Sequence, residues 1–133
     1  MQVFMPYPDV ESSVAVLDSK RLGNQIYREG LILVRGGWPN HPVSKIWTPH
    51  RHALAYYCLC GLNELSWRGR WYPRWYAYFG EQFNLYPDTG LPPLTQREDF
   101  NASHRSQLLK KDFGWYSQFK WSEKPGELEY VWE

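Results

Sequence analysis

Apolar side chains recur every three or four residues along most of this chain, and this periodicity limits the possible folds more than any other feature. Leu22, Ile26 and Leu33 share one helical face. A second stripe consists of Leu54, Cys58, Leu62 and Leu65. No segment alternates apolar and polar residues strongly, as a half-buried strand would. The pattern therefore predicts an all-α protein.

Proline and glycine divide the chain into about four to five helices separated by long loops. The predicted helices cover residues 10–34, with a break or kink near Asp18 and Ser19, and then residues 48–68, 74–85 and 103–111. Asp9, Thr48 and Ser103 are the expected N-caps. Residues 38–42 and 86–99 are predicted loops. A chain of 133 residues can bury one hydrophobic core, and we expect a compact single domain over residues 1–133.

The composition is that of an ordinary globular protein, with 43% hydrophobic and 22% charged residues. No apolar run approaches the roughly 18–20 residues that span a bilayer, and the first residues lack the pattern of a signal peptide. Cys58 and Cys60 lie two apart on a predicted helix, so their side chains diverge. Such a pair favours neither a disulfide nor a metal site and is typical of a reducing compartment. We expect a cytoplasmic protein without a membrane segment.

Motifs for metal binding or nucleophilic catalysis are missing from the sequence. His50 and His52 point in different directions on a predicted helix, and neither HExxH nor paired CxxC spacing occurs. We therefore expect no metal site. No glycine-rich phosphate loop and no nucleophile elbow is found either. A catalytic cysteine–histidine pair using Cys58 or Cys60 stays open, although free thiols commonly pack in cores.

Basic residues are interleaved with aromatic ones, which make up 18% of the chain. One cluster contains Arg68, Arg70 and Arg74 with Trp67, Trp71, Tyr72 and Trp75. The other contains Arg105, Lys110, Lys111 and Lys120 with Phe113, Trp115, Tyr116 and Trp121. Such cations can contact phosphates while the rings stack on unpaired bases. Long basic stems can equally cover the edges of an aromatic core, and a formal net charge of +1 leaves both interpretations open.

Glu29 is a carboxylate on an apolar stripe, seven residues after Leu22 and four before Leu33. A structural ion pair with a neighbouring base would explain it, and the candidates are Arg21, Arg28 and Lys20. A catalytic acid or base would explain it as well. The residues alone leave both explanations open.

Several spaced blocks, in one order along the chain, resemble the pyrimidine dimer DNA glycosylase family, the phage-type endonuclease V enzymes, and above all its short phage and bacterial members. The blocks are Phe4-Met5-Pro6-Tyr7-Pro8-Asp9, Leu17-Asp18, Arg21-Leu22-Gly23-Asn24-Gln25, Gly37-Trp38-Pro39-Asn40-His41-Pro42 with Trp47, residues 104–112 with Tyr116, and Tyr130-Val131-Trp132. The resemblance implies a compact helical domain whose N-terminus lies beside a glutamate of the first helix. It also implies that no metal or organic cofactor is needed.

The family resemblance further implies a covalent mechanism. The free α-amine attacks C1′ of a damaged nucleotide, the base departs, an imine links protein to DNA, and β-elimination cuts the strand. α-Amines titrate close to neutral pH, so a useful fraction is uncharged and nucleophilic. Because Gln2 is large, we expect Met1 to be retained and its amine to be the nucleophile. Glu29, within Tyr27-Arg28-Glu29, would be its acid/base partner.

The resemblance also assigns residues to DNA binding. Arg105 with Lys110 or Lys111 would hold phosphates, and Trp115 with Tyr116 would match the aromatic pair near the family's C-terminal end. Further backbone contacts are expected from Arg21 and Arg28. Asn40 and His41, in a proline-braced loop, are candidates for the wall of a pocket that receives an expelled base.

The leading hypothesis is thus a monomeric DNA glycosylase with associated AP lyase activity on damaged or modified pyrimidines, in the host cytoplasm if the chain is phage-encoded. The alternative is a non-catalytic protein on the same scaffold that binds a nucleotide or nucleic acid, in phage–host conflict. Blocking the α-amine separates the two hypotheses. Only the enzyme needs that amine free, so function that survives the block favours the binding protein.

Overall fold

The computed structural model describes residues 1–133 as helices joined by loops, without a β-strand. The helices are α1 (Val10–Val16), α2 (Ser19–Asn24), a π-helical turn (Gln25–Gly30), α3 (Leu31–Val34), α4 (Pro42–Trp47), α5 (Arg51–Trp67), α6 (Pro73–Leu85), α7 (Glu98–Lys111) and α8 (Phe113–Tyr116). Short 3-10 turns lie at Thr48–His50, Pro93–Gln96 and Ser117–Phe119. The predicted all-α fold is confirmed. No helix is both long and apolar enough to cross a bilayer.

The first predicted helix is interrupted near Asp18, as the sequence indicates. Asp9 caps α1 by accepting a hydrogen bond from the Ser12 amide at 2.9 Å. Helix α1 ends where Leu17 becomes extended, and the Asp18 carboxylate then accepts from the Arg21 amide to cap α2. Two aspartates therefore start two helices in close succession.

A π-helical turn joins α2 to α3 and carries Glu29. Such turns accommodate one extra residue within a helix and are frequent at functional sites. Gly30 lets this turn pack closely, because a Cβ there would lie 2.6 Å from the carbonyl oxygen of Gln25 and would also meet Cys58 of α5. The turn thus brings the segment that carries Glu29 directly against α5.

Three predicted boundaries differ from the structure. Pro42, placed in a loop, begins α4, and the helix predicted from Thr48 begins as α5 at Arg51 after a 3-10 turn. Helix α7 begins at Glu98 and not after Ser103. Ser103 is buried within α7, where its hydroxyl donates to the carbonyl of Phe100 at 2.7 Å. A residue that is typical of helix ends therefore serves inside a helix, its polar group satisfied locally.

The N-terminal segment, residues 2–6, forms no helix or strand and is buried among the helices. Its backbone bonds to side chains: the Met5 amide donates to Nδ1 of His104 at 2.9 Å, and the Met5 carbonyl accepts from Asn101 at 2.8 Å. On the other side, the Tyr57 hydroxyl of α5 donates to the Phe4 carbonyl at 2.8 Å. Because buried backbone groups need partners, these side chains hold the segment between α5 and α7 and so set the position of Met1.

Candidate active site

A cavity of about 210 Å³ lies at the N-terminus of the chain. Its walls consist of Met1, Gln2, Phe4, Arg21, Asn24, Gln25, Glu29, Lys111 and Tyr130. Four residues singled out in the sequence therefore line one space: Met1, Arg21, Glu29 and Lys111. An amine, a carboxylate and two cations around a single cavity can combine nucleophilic attack, proton transfer and phosphate binding.

Glu29 is buried, with 9% of its surface exposed, and forms no ion pair within 4.0 Å. Its Oε2 atom is buried without a hydrogen-bond partner. Arg21, a candidate partner, instead pairs with Asp18 at 3.2 Å. The structural ion pair that the sequence left open is therefore absent. One buried carboxyl oxygen of Glu29 is thus without a partner in a residue that lines the same cavity as Met1.

Burial raises the pKa of Glu29 above its ordinary value. A hydrogen bond from its own backbone, the positive charge of Arg28 and the N-terminal ammonium act in the opposite direction but do not cancel the effect of burial. A carboxyl group with a raised pKa exchanges protons more readily close to neutral pH. The carboxyl group is thus suited to acid/base work, and the charge of the amine is close enough to affect it.

Gln25 positions the N-terminus, and the sequence analysis assigned it no role. Its Nε2 donates to the carbonyl of Gln2 at 2.9 Å, and its Oε1 accepts from the amide of Phe4 at 2.8 Å. Gln25 is buried beside Ile26 on the inner face of the helix. A buried amide next to an apolar stripe is the signal that could have revealed it, because such a group needs hydrogen-bond partners.

A second, larger cavity of about 480 Å³ adjoins the amine and shares Met1 with the first. Its other lining residues are Arg28, Trp38, Pro39, Asn40 and His41. His41 accepts a hydrogen bond from the Val43 amide at 3.0 Å and so caps α4. Burial lowers the pKa of His41, and the nearby N-terminal charge lowers it further. The α-amine therefore lies between two cavities, and the predicted residues Arg28, Asn40 and His41 line the second.

The family model described as pyrimidine dimer DNA glycosylase matches residues 1–77, more than half of the chain. The chain belongs to the pyrimidine dimer DNA glycosylase family. The matched segment contains Met1, Gln25 and Glu29 with the walls of the second cavity, whereas Lys111 and Tyr130 lie beyond it. No curated protein and no solved structure matches the chain. Membership in this family makes DNA the class of substrate.

Arg105, which is predicted to hold a DNA phosphate, lines neither cavity, and its guanidinium is bound by other residues of the protein. Its side chain is 10% exposed and pairs with Glu98 and, at 2.5 Å, with Glu123. Its Nη1 also donates to the Pro6 carbonyl at 2.7 Å. The prediction for Arg105 is therefore corrected: its guanidinium joins α7, the N-terminal segment and the C-terminal tail.

The predicted aromatic pair is divided between core and surface. Tyr116 is fully buried, its hydroxyl donates to Asp18 at 2.5 Å, and its ring stacks on Trp121. A buried ring cannot meet DNA, so this prediction is also corrected. Trp115 is 36% exposed and donates its indole N–H to the Val16 carbonyl at 2.7 Å. Lys110 is exposed but does not line the cavity, in contrast to Lys111.

Arg105→Gln is expected to destabilise the fold by about 2 kcal/mol, because it leaves Glu123 and the Pro6 carbonyl without their partner. Urea unfolding at pH 7 measures the effect, with Lys111→Gln as the control of nearly unchanged stability. A variant at Arg105 that is as stable as the wild type, yet binds DNA with a weaker salt dependence, would restore the phosphate role.

A cavity of about 490 Å³, close in volume to the second cavity, is distinct from the candidate site. Asp9, Glu11 and Asp88 contribute three carboxyl groups to its lining, and no arginine or lysine lines it. Carboxylates repel DNA phosphates, and the α-amine is not among the lining residues. The charge of this cavity therefore makes it unsuitable for the family's substrate.

Proposed function

We propose that this chain excises a damaged or modified pyrimidine from DNA and then cleaves the strand, through an imine between the Met1 α-amine and the sugar. The observation that carries the proposal is the shared cavity of Met1 and the unpartnered carboxyl of Glu29. Covalent catalysis of this kind requires a nucleophile and a proton-transfer group at one site.

In the first step, the lone pair of the uncharged Met1 nitrogen forms a bond to C1′ of the nucleotide. The glycosidic bond breaks, and the base leaves with its electron pair and takes up a proton from solvent water. Glu29, as the carboxylate, accepts a proton from the attached nitrogen. It returns that proton to O4′ as the C1′–O4′ bond opens and the nitrogen lone pair forms the C=N bond. The product is a protonated imine between protein and sugar.

In the second step, the carboxylate of Glu29 accepts a proton from C2′, and the bond from C3′ to its phosphate oxygen breaks. The imine acts as the electron sink for this elimination, and water then releases the protein. Burial that raises the pKa of Glu29 supports a group that alternates between acid and base.

The two cavities divide the remaining tasks. Lys111 at the first cavity would contact a phosphate beside the reacting sugar, and Arg21, which lines the same cavity, would do so while it keeps its ion pair with Asp18. The second cavity, walled by Trp38 and His41 with the amide of Asn40, is suited to a base expelled from the stack. We assign the second cavity this role because Met1 lines one side of it, so a base held there would lie next to the amine. We further propose that the chain acts as a monomer.

Borohydride trapping tests the proposal, with oligonucleotides that carry an abasic site or a cyclobutane pyrimidine dimer. Reduction of the imine should give a stable adduct that peptide mass spectrometry maps to Met1. Protein whose α-amine is acetylated should give none, whereas Lys111→Gln should still give one. No adduct on either DNA, from protein with a verified free amine, would refute the mechanism and favour a non-catalytic binder. An adduct on Lys111 would refute the assignment of the nucleophile.

A further inference from the structure

The turn between α5 and α6 exposes an unusual number of large aromatic side chains. In this hairpin tip, residues 67–76, the exposed fractions are 88% for Trp67, 51% for Trp71, 37% for Tyr72 and 38% for Tyr76. A cluster of exposed rings on a small protein marks a surface that contacts another molecule. Neither cavity of the candidate site contains any of these residues.

The charge of the hairpin tip indicates what kind of molecule it contacts. Residues 65–80 contain no aspartate or glutamate. Arg68 is engaged by Glu64 at 3.1 Å, but Arg70 and Arg74 are exposed and form no ion pair. Since the whole chain has a formal net charge of only +1, this is a local concentration of available positive charge. Exposed rings with unpaired guanidinium groups complement a polyanion that offers flat faces.

The hairpin tip is continuous with the helical turn that carries the candidate site. The ring of Tyr27 lies 5.5 Å from Tyr72 and 5.6 Å from Trp75, between ring centroids. Tyr27 precedes Arg28, which lines the cavity shared with Met1. The base of the hairpin tip therefore packs against the helical turn that contributes Arg28 to the second cavity.

We propose that the hairpin tip binds unpaired DNA bases next to the excised nucleotide, with Trp67 and Trp71 stacking on bases and Arg70 and Arg74 contacting phosphates. Unpaired bases are favoured over an intact duplex because only they present faces to a protruding ring, and base expulsion exposes such faces. This inference rests on the proposed function, since it takes DNA as the substrate. It adds a preference for locally single-stranded DNA, carried by residues that line neither cavity.

Binding to a fluorescent oligo-dT strand and to a matched intact duplex tests the inference. The wild type should bind the single strand more tightly. The double variant Trp67→Ala, Trp71→Ala should weaken single-strand binding about tenfold or more, because each lost stack contributes measurably to affinity. The matched control is Phe113→Ala, a ring that is 59% exposed outside the hairpin tip, and it should change affinity less than about twofold.

A charge variant separates phosphate contacts from stacking. Arg70→Gln, Arg74→Gln should reduce the slope of log affinity against log salt by about 1.4 on a single strand. Lys45→Gln, Lys124→Gln removes two exposed cations elsewhere and should leave the slope unchanged. Wild-type slopes and affinities in both hairpin variants would overturn the inference. Light scattering measures whether the tryptophan variant loses self-association. If it does, and its DNA affinity is unchanged, the inference is overturned and the hairpin tip is a protein contact.

The outcome is independent of the trapping experiment. If the hairpin variants lose single-strand affinity while no Met1 adduct forms on any DNA, the inference stands and the proposed mechanism fails. If the adduct forms and all variants bind like the wild type, the mechanism stands and the inference fails.

Discussion

Glu29→Gln is expected to lower the rate of base excision by about 10²- to 10⁴-fold, the usual contribution of a positioned acid/base group. Glutamine matches the shape of the carboxyl group but cannot accept a proton from the amine or from C2′. The carboxyl group is buried without an ion pair, so the substitution breaks no ion pair that holds the fold together. The loss should therefore appear in turnover and not in folding.

Single-turnover excision from dimer-containing DNA measures this loss, and Glu127→Gln serves as an exposed-carboxylate control. Stability provides a second readout. Because burial raises the pKa of Glu29, its ionised form disfavours the folded state, so Glu29→Gln should be more stable than the wild type at pH 7. The advantage should vanish as the pH falls below the ordinary value of 4.5, where the carboxyl group is protonated in both states. A wild-type rate in Glu29→Gln would remove this residue from the mechanism.

His104 is expected to make the fold sensitive to acid. Its ring is fully buried among Phe4, Phe100 and Tyr130, and burial lowers its pKa to about 3. The unfolded chain takes up a proton at this histidine near its ordinary value of 6.5, whereas the folded chain does not. The stabilisation is thus fully present above pH 6.5 and is lost as the pH falls toward 3. Between pH 7 and pH 4 the loss should be about 3 kcal/mol.

The variant His104→Asn isolates this effect, because asparagine can still accept a hydrogen bond from the Met5 amide but does not titrate. Urea unfolding of both proteins at several pH values gives the comparison. The variant should be less stable at pH 7, since it leaves a cavity, but its stability should fall about 3 kcal/mol less between pH 7 and pH 4. Parallel curves would show that His104 does not control the acid sensitivity.

Local sequence patterns determined the helical architecture and part of the site. The apolar spacing around Leu22 and Ile26 predicts the inner face of α2 and of the π-helical turn. Asp9 predicts the first helix start because capping involves residues only three apart, and the break expected near Asp18 is where α2 begins. The same spacing places Glu29 on the buried face. These features depend only on residues within one or two helical turns of each other, and such residues can be read from the sequence.

Only the tertiary structure decided which polar residues are free to act and which are used to hold the fold. Arg105 and Lys111 look equivalent in the sequence, yet Arg105 is engaged by Glu123 and by the Pro6 carbonyl, 99 residues away. Gln25 acquires its role from the N-terminal segment, 23 residues earlier. Whether a charge is exposed or neutralised depends on such distant partners, and helical periodicity contains no information about them. The local sequence therefore predicts the helices and the buried position of Glu29. Only the fold of the whole chain brings the N-terminal amine to the cavity that Glu29 lines.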